Sequence, residues 1–198
     1  MTRTMTLLAL LLPLLPLVAC EADPADPAED RDITSLAFDV SEDASRFLFD
    51  DAPAHPDGMP DGGNEFVTSG YLYPEGFLYL NQGQGTTEDG APAFPAEVVG
   101  SWTCRGVFLG EGAYETGAAL ATTQTYMLYD EPGFEVDKMS ATTIVTEGFE
   151  MMVEDVSVTR AITGGSGAHV GARGEQHQVM TGLNPSLGVN LSVEIDLL

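Results

Sequence analysis

The chain has 198 residues, with 31 acidic and only 7 basic ones, so its formal net charge is −24. This length suits one domain with a substantial core. So few cations cannot neutralise a run of phosphates, which argues against nucleic-acid binding and against electrostatic attraction to lipid headgroups. We therefore expect a single acidic domain, with any membrane attachment supplied by another means.

Residues 1–19 have the layout of an export signal. Arg3 gives a short cationic start, and the run from Met5 to Val18 is almost entirely apolar. A membrane-spanning helix needs about 20 apolar residues. This run is shorter, and Pro13 and Pro16 would break or kink a helix. The pattern predicts a removable signal rather than a permanent anchor.

The signal ends in Leu17-Val18-Ala19-Cys20, which resembles the lipobox of bacterial lipoproteins. The resemblance implies that Cys20 takes a diacylglyceryl group, that the signal is cut before it, and that the new amine is often acylated as well. Two or three acyl chains anchor a protein stably. The alternative is an ordinary secretory signal with a chance cysteine. The residue after the cysteine is Glu21 rather than Asp, and an Asp there would resemble the inner-membrane retention signal of some bacteria. We therefore expect delivery to the outer membrane or the cell surface.

Residues 20–32 are predicted to form a lipidated start and an extended tether. After Cys20 the sequence EADPADPAEDRD combines proline, alanine and acidic residues without apolar periodicity. Such a segment repels itself and remains extended. It would hold the following domain away from the membrane.

Residues 33–63 are expected to be a partly ordered lead-in. Its first part alternates as a strand does, with apolar residues at every second position, and an acidic loop follows. Calcium binding by that loop is an alternative, but its spacing does not match a helix-loop-helix calcium site. We therefore favour a solvated loop and expect no metal. The acidic residues concerned are Asp50, Asp51, Asp57 and Asp61.

From residue 64 onward the sequence is β in character. Short alternating or β-branched runs recur between Gly, Pro and Asp residues, and no long stretch has a helical period. About eight short strands favour a closed barrel or a sandwich, and closure would remove exposed edges. The predicted strands are Phe66–Tyr73, Gly76–Leu80, Val98–Leu109, Ala118–Tyr129, Met139–Gly148, Val156–Ile162, Gly174–Leu183 and Gly188–Leu197.

The C-terminal half contains TRAITGGSG at Thr159–Gly167, followed by GARGE at Gly171–Glu175. These segments resemble the glycine-rich signature of the allene oxide cyclase barrel and dirigent-like superfamily. Phe66–Phe77 and Gly100–Phe108 resemble earlier strands of its bacterial members. The resemblance covers about 64–198 and implies a small antiparallel eight-stranded β-barrel, calycin-like, with an interior cavity. We expect the glycines to serve a tight crossover between strands.

Cys104 has no intramolecular partner once Cys20 is lipidated. It lies in a predicted strand, which favours a buried, apolar role over that of a nucleophile. The lone histidines His55, His169 and His177 form no pattern of metal ligands. We expect no cofactor.

Four polar residues within predicted strands are candidate pocket residues, because a barrel interior could bring them together. Gln124 and Tyr126 share one face of their strand, Arg105 follows Trp102, and Glu147 ends another strand. Structural roles are the alternative, such as a core amide for Gln124 or an ion pair for Arg105. The resemblance transfers no catalytic residue to this chain.

Two functions are compatible with the sequence. The first is an exported, lipid-anchored protein whose barrel binds a small hydrophobic ligand or a partner. The alternative is a cyclase, isomerase or dirigent-type protein that steers a reactive intermediate within the barrel, so whether the chain is an enzyme stays open. A filled barrel with a structural or adhesive role is a third possibility. Homo-oligomers are compatible with each.

Overall fold

The computed structural model describes residues 33–50, 60–109, 119–134 and 142–198. The predicted signal, Cys20, the tether and most of the acidic loop lie outside these ranges. One compact unit spans 32–198. Among the described residues, no helix has the length and apolar character needed to cross a membrane.

Within these ranges the chain forms nine β-strands and one short α-helix. All pairings between named strands are antiparallel. The elements are β1 (Thr34–Glu42), β2 (Leu48–Phe49), β3 (Glu65–Pro74), α1 (Phe77–Leu80), β4 (Gly100–Phe108), β5 (Ala119–Leu128), β6 (Thr142–Met151), β7 (Ser157–Gly165), β8 (Gly174–Leu183) and β9 (Val189–Leu197).

Eight long strands close into a barrel. The hydrogen-bonded order is β1-β9-β8-β7-β6-β5-β4-β3, and β1 pairs with β3 to close the ring. The short β2 pairs with the beginning of β3, at Phe66 and Val67. Closure leaves the eight long strands with no free edge. The prediction of an all-β, antiparallel, eight-stranded barrel is confirmed.

Two local features differ from the sequence predictions. The barrel begins before residue 64, because β1 pairs with both β9 and β3. The predicted strand Gly76–Leu80 is wrong: Gly76 takes a left-handed conformation with φ of 73°, and α1 follows it. A short apolar run fits either a strand or a helix. Here Asp39 favours the helix by accepting a hydrogen bond from the amide of Leu78 at 2.8 Å.

The barrel interior has polar side chains in the middle and apolar ones toward both ends. On β5 the buried residues run from Leu120 through Thr122 and Gln124 to Tyr126. The same order recurs on β3, where Phe66, Thr68 and Leu72 are buried. Since alternate residues of a strand face one side, this order aligns the polar groups of neighbouring strands into one layer.

The segment 75–99 covers part of the outside of the barrel. It contributes Leu78 and Val98 to a second buried cluster that also contains Tyr71 and Tyr73 from β3. The Tyr73 hydroxyl donates to the carbonyl of Gly85 at 2.5 Å. This cover explains why β1 and β3 are buried on both faces over part of their length.

Candidate ligand site in the barrel interior

Amide and hydroxyl side chains form a connected network across the middle of the barrel. Gln124 Nε2 donates to Gln178 Oε1 at 3.0 Å, and Gln176 Nε2 donates to the same oxygen at 2.7 Å. The Tyr126 hydroxyl donates to Gln124 Oε1. Burial raises the pKa of Tyr126 well above its ordinary value, so its hydroxyl stays a donor. The network holds Gln124 in a fixed orientation.

Arg160 and Glu150 form a buried ion pair beside this network. Arg160 Nη1 lies 3.0 Å from Glu150 Oε1, and the Arg160 side chain is fully buried. The guanidinium also donates to Thr122 Oγ1 at 2.7 Å, to the Thr122 carbonyl at 3.0 Å and to Thr146 Oγ1 at 3.3 Å. A buried charge is tolerated only when it is paired and hydrogen-bonded in this way.

The two oxygens of the Glu150 carboxylate have different surroundings. Oε1 accepts hydrogen bonds from Arg160, from Gln124 at 2.6 Å and from the Thr122 hydroxyl, and the Cys104 thiol lies 3.7 Å away. No described residue donates to Oε2. The side chain is 11% exposed and lines the central cavity. One acceptor of a firmly held carboxylate is therefore free for another donor.

A second carboxyl group, Glu42 of β1, lines the same cavity. Its Oε1 accepts from the Thr68 hydroxyl at 2.7 Å, and its Oε2 accepts from the Val189 amide at 2.8 Å. Burial raises the pKa of Glu42, and the negative charge of Glu150 raises it further. Glu42 is thus biased toward its neutral, protonated form, whereas Glu150 is compensated by Arg160.

The cavity lies toward the end of the barrel where β1 ends and β3, β5, β7 and β9 begin. Its volume is about 30 Å³, room for one or two water molecules rather than an organic ligand. Polar groups, including Glu42 and Glu150, form one part of the cavity lining. Besides them, the lining is mostly apolar and includes Phe47, Phe66, Leu120, Met151, Met152 and Met180. Methionine side chains are flexible and adapt to irregular shapes, so they are the groups best able to move for a larger occupant.

Cys104 is buried in the cavity wall, as its strand context predicts. Burial raises the pKa of its thiol well above the ordinary value, and the negative charge of Glu150 adds to this. A thiol held neutral is a poor nucleophile. Among the described residues, no group of three or more His, Cys, Asp or Glu side chains could hold a metal ion.

The structure separates the four candidate pocket residues into two pairs. Gln124 and Tyr126 are buried in the interior network. Arg105 and Glu147 are exposed on the outer face of the barrel, where both line a shallow groove. Each lies next to an inward residue on its strand, and strand alternation turns it outward. Arg105 has no ion-pair partner among the described residues.

The charged residues of the interior were missed by the sequence analysis. Arg160 lies between Val158 and Ile162 on the inward face of β7. Glu42 likewise continues the inward alternation of Phe38 and Val40 on β1. A charged residue on the apolar face of a strand is the signal that could have identified both positions.

Comparison with solved structures relates the chain to other barrels at low sequence identity. A pyocyanin demethylase matches with 18% identity and a TM-score of 0.51, covering 83% of this chain and 100% of the other. The pterocarpan synthase dirigent protein GePTS1 matches with 14% identity and a TM-score of 0.57, covering 89% and 93%. The dirigent protein PsPTS1 matches with 17% identity and a TM-score of 0.55, covering 85% and 96%.

No protein-family model matches the chain, and no curated protein matches its sequence. At these identities the structural matches show a shared barrel fold. They bear out the dirigent-like part of the resemblance at the level of fold.

Proposed function

We propose that the barrel binds a small, largely apolar molecule through one hydrogen-bond-donating group, and that lipid on Cys20 holds it at a bacterial membrane. The observation that carries the binding proposal is the unshared Oε2 of Glu150 in an otherwise mostly apolar cavity. A ligand hydroxyl would donate to this oxygen. Its apolar part would displace the methionine side chains that line the cavity.

The known volume of the cavity sets a condition on this proposal. About 30 Å³ does not hold an aromatic ring. Binding therefore requires Met151, Met152 or Met180 to change rotamer and open the space among them. Apolar contacts would then drive binding, and the bond to Glu150 would set the orientation of the ligand.

Binding is testable with naphthol and naphthalene as probes, because they differ by one hydroxyl group. Trp102, the chain's single tryptophan, lies in the cavity wall, so its fluorescence reports occupancy directly. Naphthol should bind more tightly than naphthalene. Glu150→Gln should remove most of that difference, because an amide nitrogen would replace the free oxygen and cannot accept. Equal binding of the two probes to the unmodified protein would refute the role of Glu150.

Glu147→Gln is the matched control for this experiment. Glu147 belongs to the same strand as Glu150 but faces outward and is exposed. Its replacement should leave both affinities unchanged. Equal effects of the two substitutions would show that overall charge, rather than the cavity carboxylate, determines binding.

Acid–base steering of a reactive intermediate is a second candidate function, favoured by the two carboxyl groups in one cavity. Burial biases Glu42 toward the protonated form, whereas Glu150 is paired with Arg160, so the two carboxyl groups have the contrasting environments that acid–base catalysis uses. The barrels related to this one include a demethylase and pterocarpan synthases by name. Chemistry of that kind in this chain is part of the proposal.

The two functions differ in what co-purifies with the protein. We would extract compounds bound to the unmodified chain and to Glu42→Gln, and separate them by chromatography, since an isomerisation leaves mass unchanged. A catalyst should carry different compounds in the two proteins, with the substrate accumulating in the variant. The same compound in both would leave binding as the function and exclude catalysis through Glu42.

Lipid attachment has its own test, because the chain contains two cysteines. Cys20→Ser should move the protein from the detergent phase to the aqueous phase of a detergent-partition assay. Cys104→Ser, in the barrel interior, should leave partitioning unchanged. Normal detergent partitioning of the Cys20 variant would refute the anchor. Proteolysis of intact cells would then establish whether the anchored barrel is at the cell surface.

A further inference from the structure

A second hollow lies on the outside of the barrel, between the segment 75–83 and the outer faces of β1, β8 and β9. Asp39 lines it from β1, Asn190 from β9 and Leu183 from β8. Its volume is about 540 Å³, which suits a small organic molecule. It shares no lining residue with the central cavity. We call it the outer groove.

The polar lining of the outer groove is negatively charged. Asp39 and Glu75 contribute carboxylates, and Ser192 adds a hydroxyl. None of the described residues that line it is Lys, Arg or His. The groove therefore lacks an internal counter-charge, and a cation would be attracted to it.

Of the two carboxylates, that of Asp39 is stabilised less by solvent, since the residue is only 4% exposed. Its Oδ2 accepts a hydrogen bond from the Leu78 amide at 2.8 Å. Burial raises the pKa of Asp39, and the negative charge of Glu75 raises it further. A ligand cation beside Asp39 would replace the missing counter-charge.

Asn190 supplies an independent indication of a missing donor. It is 2% exposed, and its Nδ2 donates to the carbonyl of Gly83 at 2.8 Å, which fixes the orientation of the amide. Its Oδ1 is buried and accepts no hydrogen bond from any described residue. A buried acceptor without a donor is costly. A ligand N–H group that reached this oxygen would remove that cost.

The rim of the groove is apolar. Tyr79 is 88% exposed and Leu183 is 56% exposed, and both line the hollow together with the buried Leu78. Large exposed apolar side chains around a polar depression are typical of a binding surface. The face of an aromatic ring also attracts cations.

We propose that the outer groove binds a small organic molecule with a primary ammonium group and an apolar body. An ammonium group offers three donors and no acceptor, which matches Asp39, Glu75 and the free oxygen of Asn190. The apolar body contacts Tyr79 and Leu183. A calcium ion fits less well, because it takes six to eight oxygen ligands. Among the described residues, no group of three or more Asp, Glu, His or Cys side chains could hold a metal ion.

The test uses the whole chain labelled with nitrogen-15 and titrated with phenethylammonium. Phenethyl alcohol, which replaces the ammonium with a neutral hydroxyl, is the control probe. The NMR signals to follow are the Asn190 side-chain amide and the backbone amide of Leu78, with the Trp102 indole as reporter of the central cavity. Phenethylammonium should shift the first two signals and leave the third in place.

Substitutions in the groove separate charge from shape. Asp39→Asn should weaken phenethylammonium binding about tenfold or more, since the amide keeps the volume but loses the charge. Glu75→Gln should weaken it about threefold, because Glu75 is exposed and its charge is screened. Its exposure also means that it can be replaced without disturbing the core. Glu131→Gln, an exposed carboxylate that does not line the groove, should have no effect.

Three results would overturn the proposal. Equal affinity for phenethyl alcohol would show that the charge plays no part. Shifts confined to Trp102 would place the amine in the central cavity. Calcium chloride that produced the same shifts and displaced the amine would make the outer groove a metal site. Because the outer groove shares no lining residue with the cavity, the first and third results leave the naphthol experiment unaffected.

Discussion

Replacing Arg160 with Met should destabilise the barrel by about 3–5 kcal/mol, because it leaves the Glu150 carboxylate buried without its cation. The guanidinium donates to Glu150 Oε1, to Thr122 Oγ1 and to the Thr122 carbonyl, and each of these oxygens would lose that hydrogen bond. Domains of this size have free energies of unfolding of about 5–15 kcal/mol. One substitution would therefore remove a large part of the stability.

Urea denaturation followed by Trp102 fluorescence would measure this change, since the chain has one tryptophan and it is buried. The double variant Arg160→Met with Glu150→Gln should be more stable than Arg160→Met alone by about 1–3 kcal/mol, because a neutral amide needs no counter-charge. The matched control is Arg105→Met on the outer face, where we expect a change within about 0.5 kcal/mol.

Two results would refute the reasoning about this pair. A cost below about 1 kcal/mol for Arg160→Met would show that the guanidinium does not compensate a buried carboxylate. Additive effects of the two single substitutions would show that Arg160 and Glu150 do not act as a unit. In either case the firmly held carboxylate on which the ligand proposal depends would be absent.

Three further predictions concern other residues of the barrel. The raised pKa of Glu42 means that the folded protein keeps this proton to higher pH than the unfolded chain, whose ordinary value is 4.5. The resulting stabilisation is complete below that pH and is lost as the pH rises through the pKa of the folded protein. The urea midpoint should therefore fall above about pH 5, and Glu42→Gln should make this fall smaller. An unchanged fall in the variant would contradict the prediction. Cys104 should not react with a thiol reagent until urea unfolds the chain, because its thiol is buried and neutral; rapid labelling of the native protein would disprove it. Gly174→Ala should cost about 2 kcal/mol or more, because a Cβ there would lie 1.9 Å from the carbonyl of Asp196 at a φ of +142°. Its control Gly164→Ala meets nothing within 4 Å and should change the thermal midpoint little.

Most of the barrel strands could be predicted from the sequence because alternation is a local property. β9 shows this most clearly: Val189, Leu191, Val193 and Ile195 are all buried, as their spacing predicts. Alternation shows that two sets of residues face opposite ways. It shows which set faces the barrel interior only where one of the two sets is clearly apolar.

The candidate site was harder to predict because its residues are polar on an inward face. Thr122, Gln124 and Thr146 would be placed outside by hydrophobicity alone, yet they line the interior. They are stable there because partners from other strands satisfy them. Arg105 and Glu147 were candidates by residue type, and their outward direction follows from Cys104 and Thr146 taking the inward positions.

The β character of the chain and the positions of most strands could be predicted from the sequence alone, and the export signal and lipid anchor at residues 1–20 stay predictions of the same kind. These follow from residues close together in the chain. Tertiary structure alone decided that Glu42 accepts a hydrogen bond from the amide of Val189, 147 residues away. It likewise set Arg160 against Glu150 across the turn between β6 and β7. Such contacts depend on the register of paired strands and on barrel closure, which no local pattern specifies.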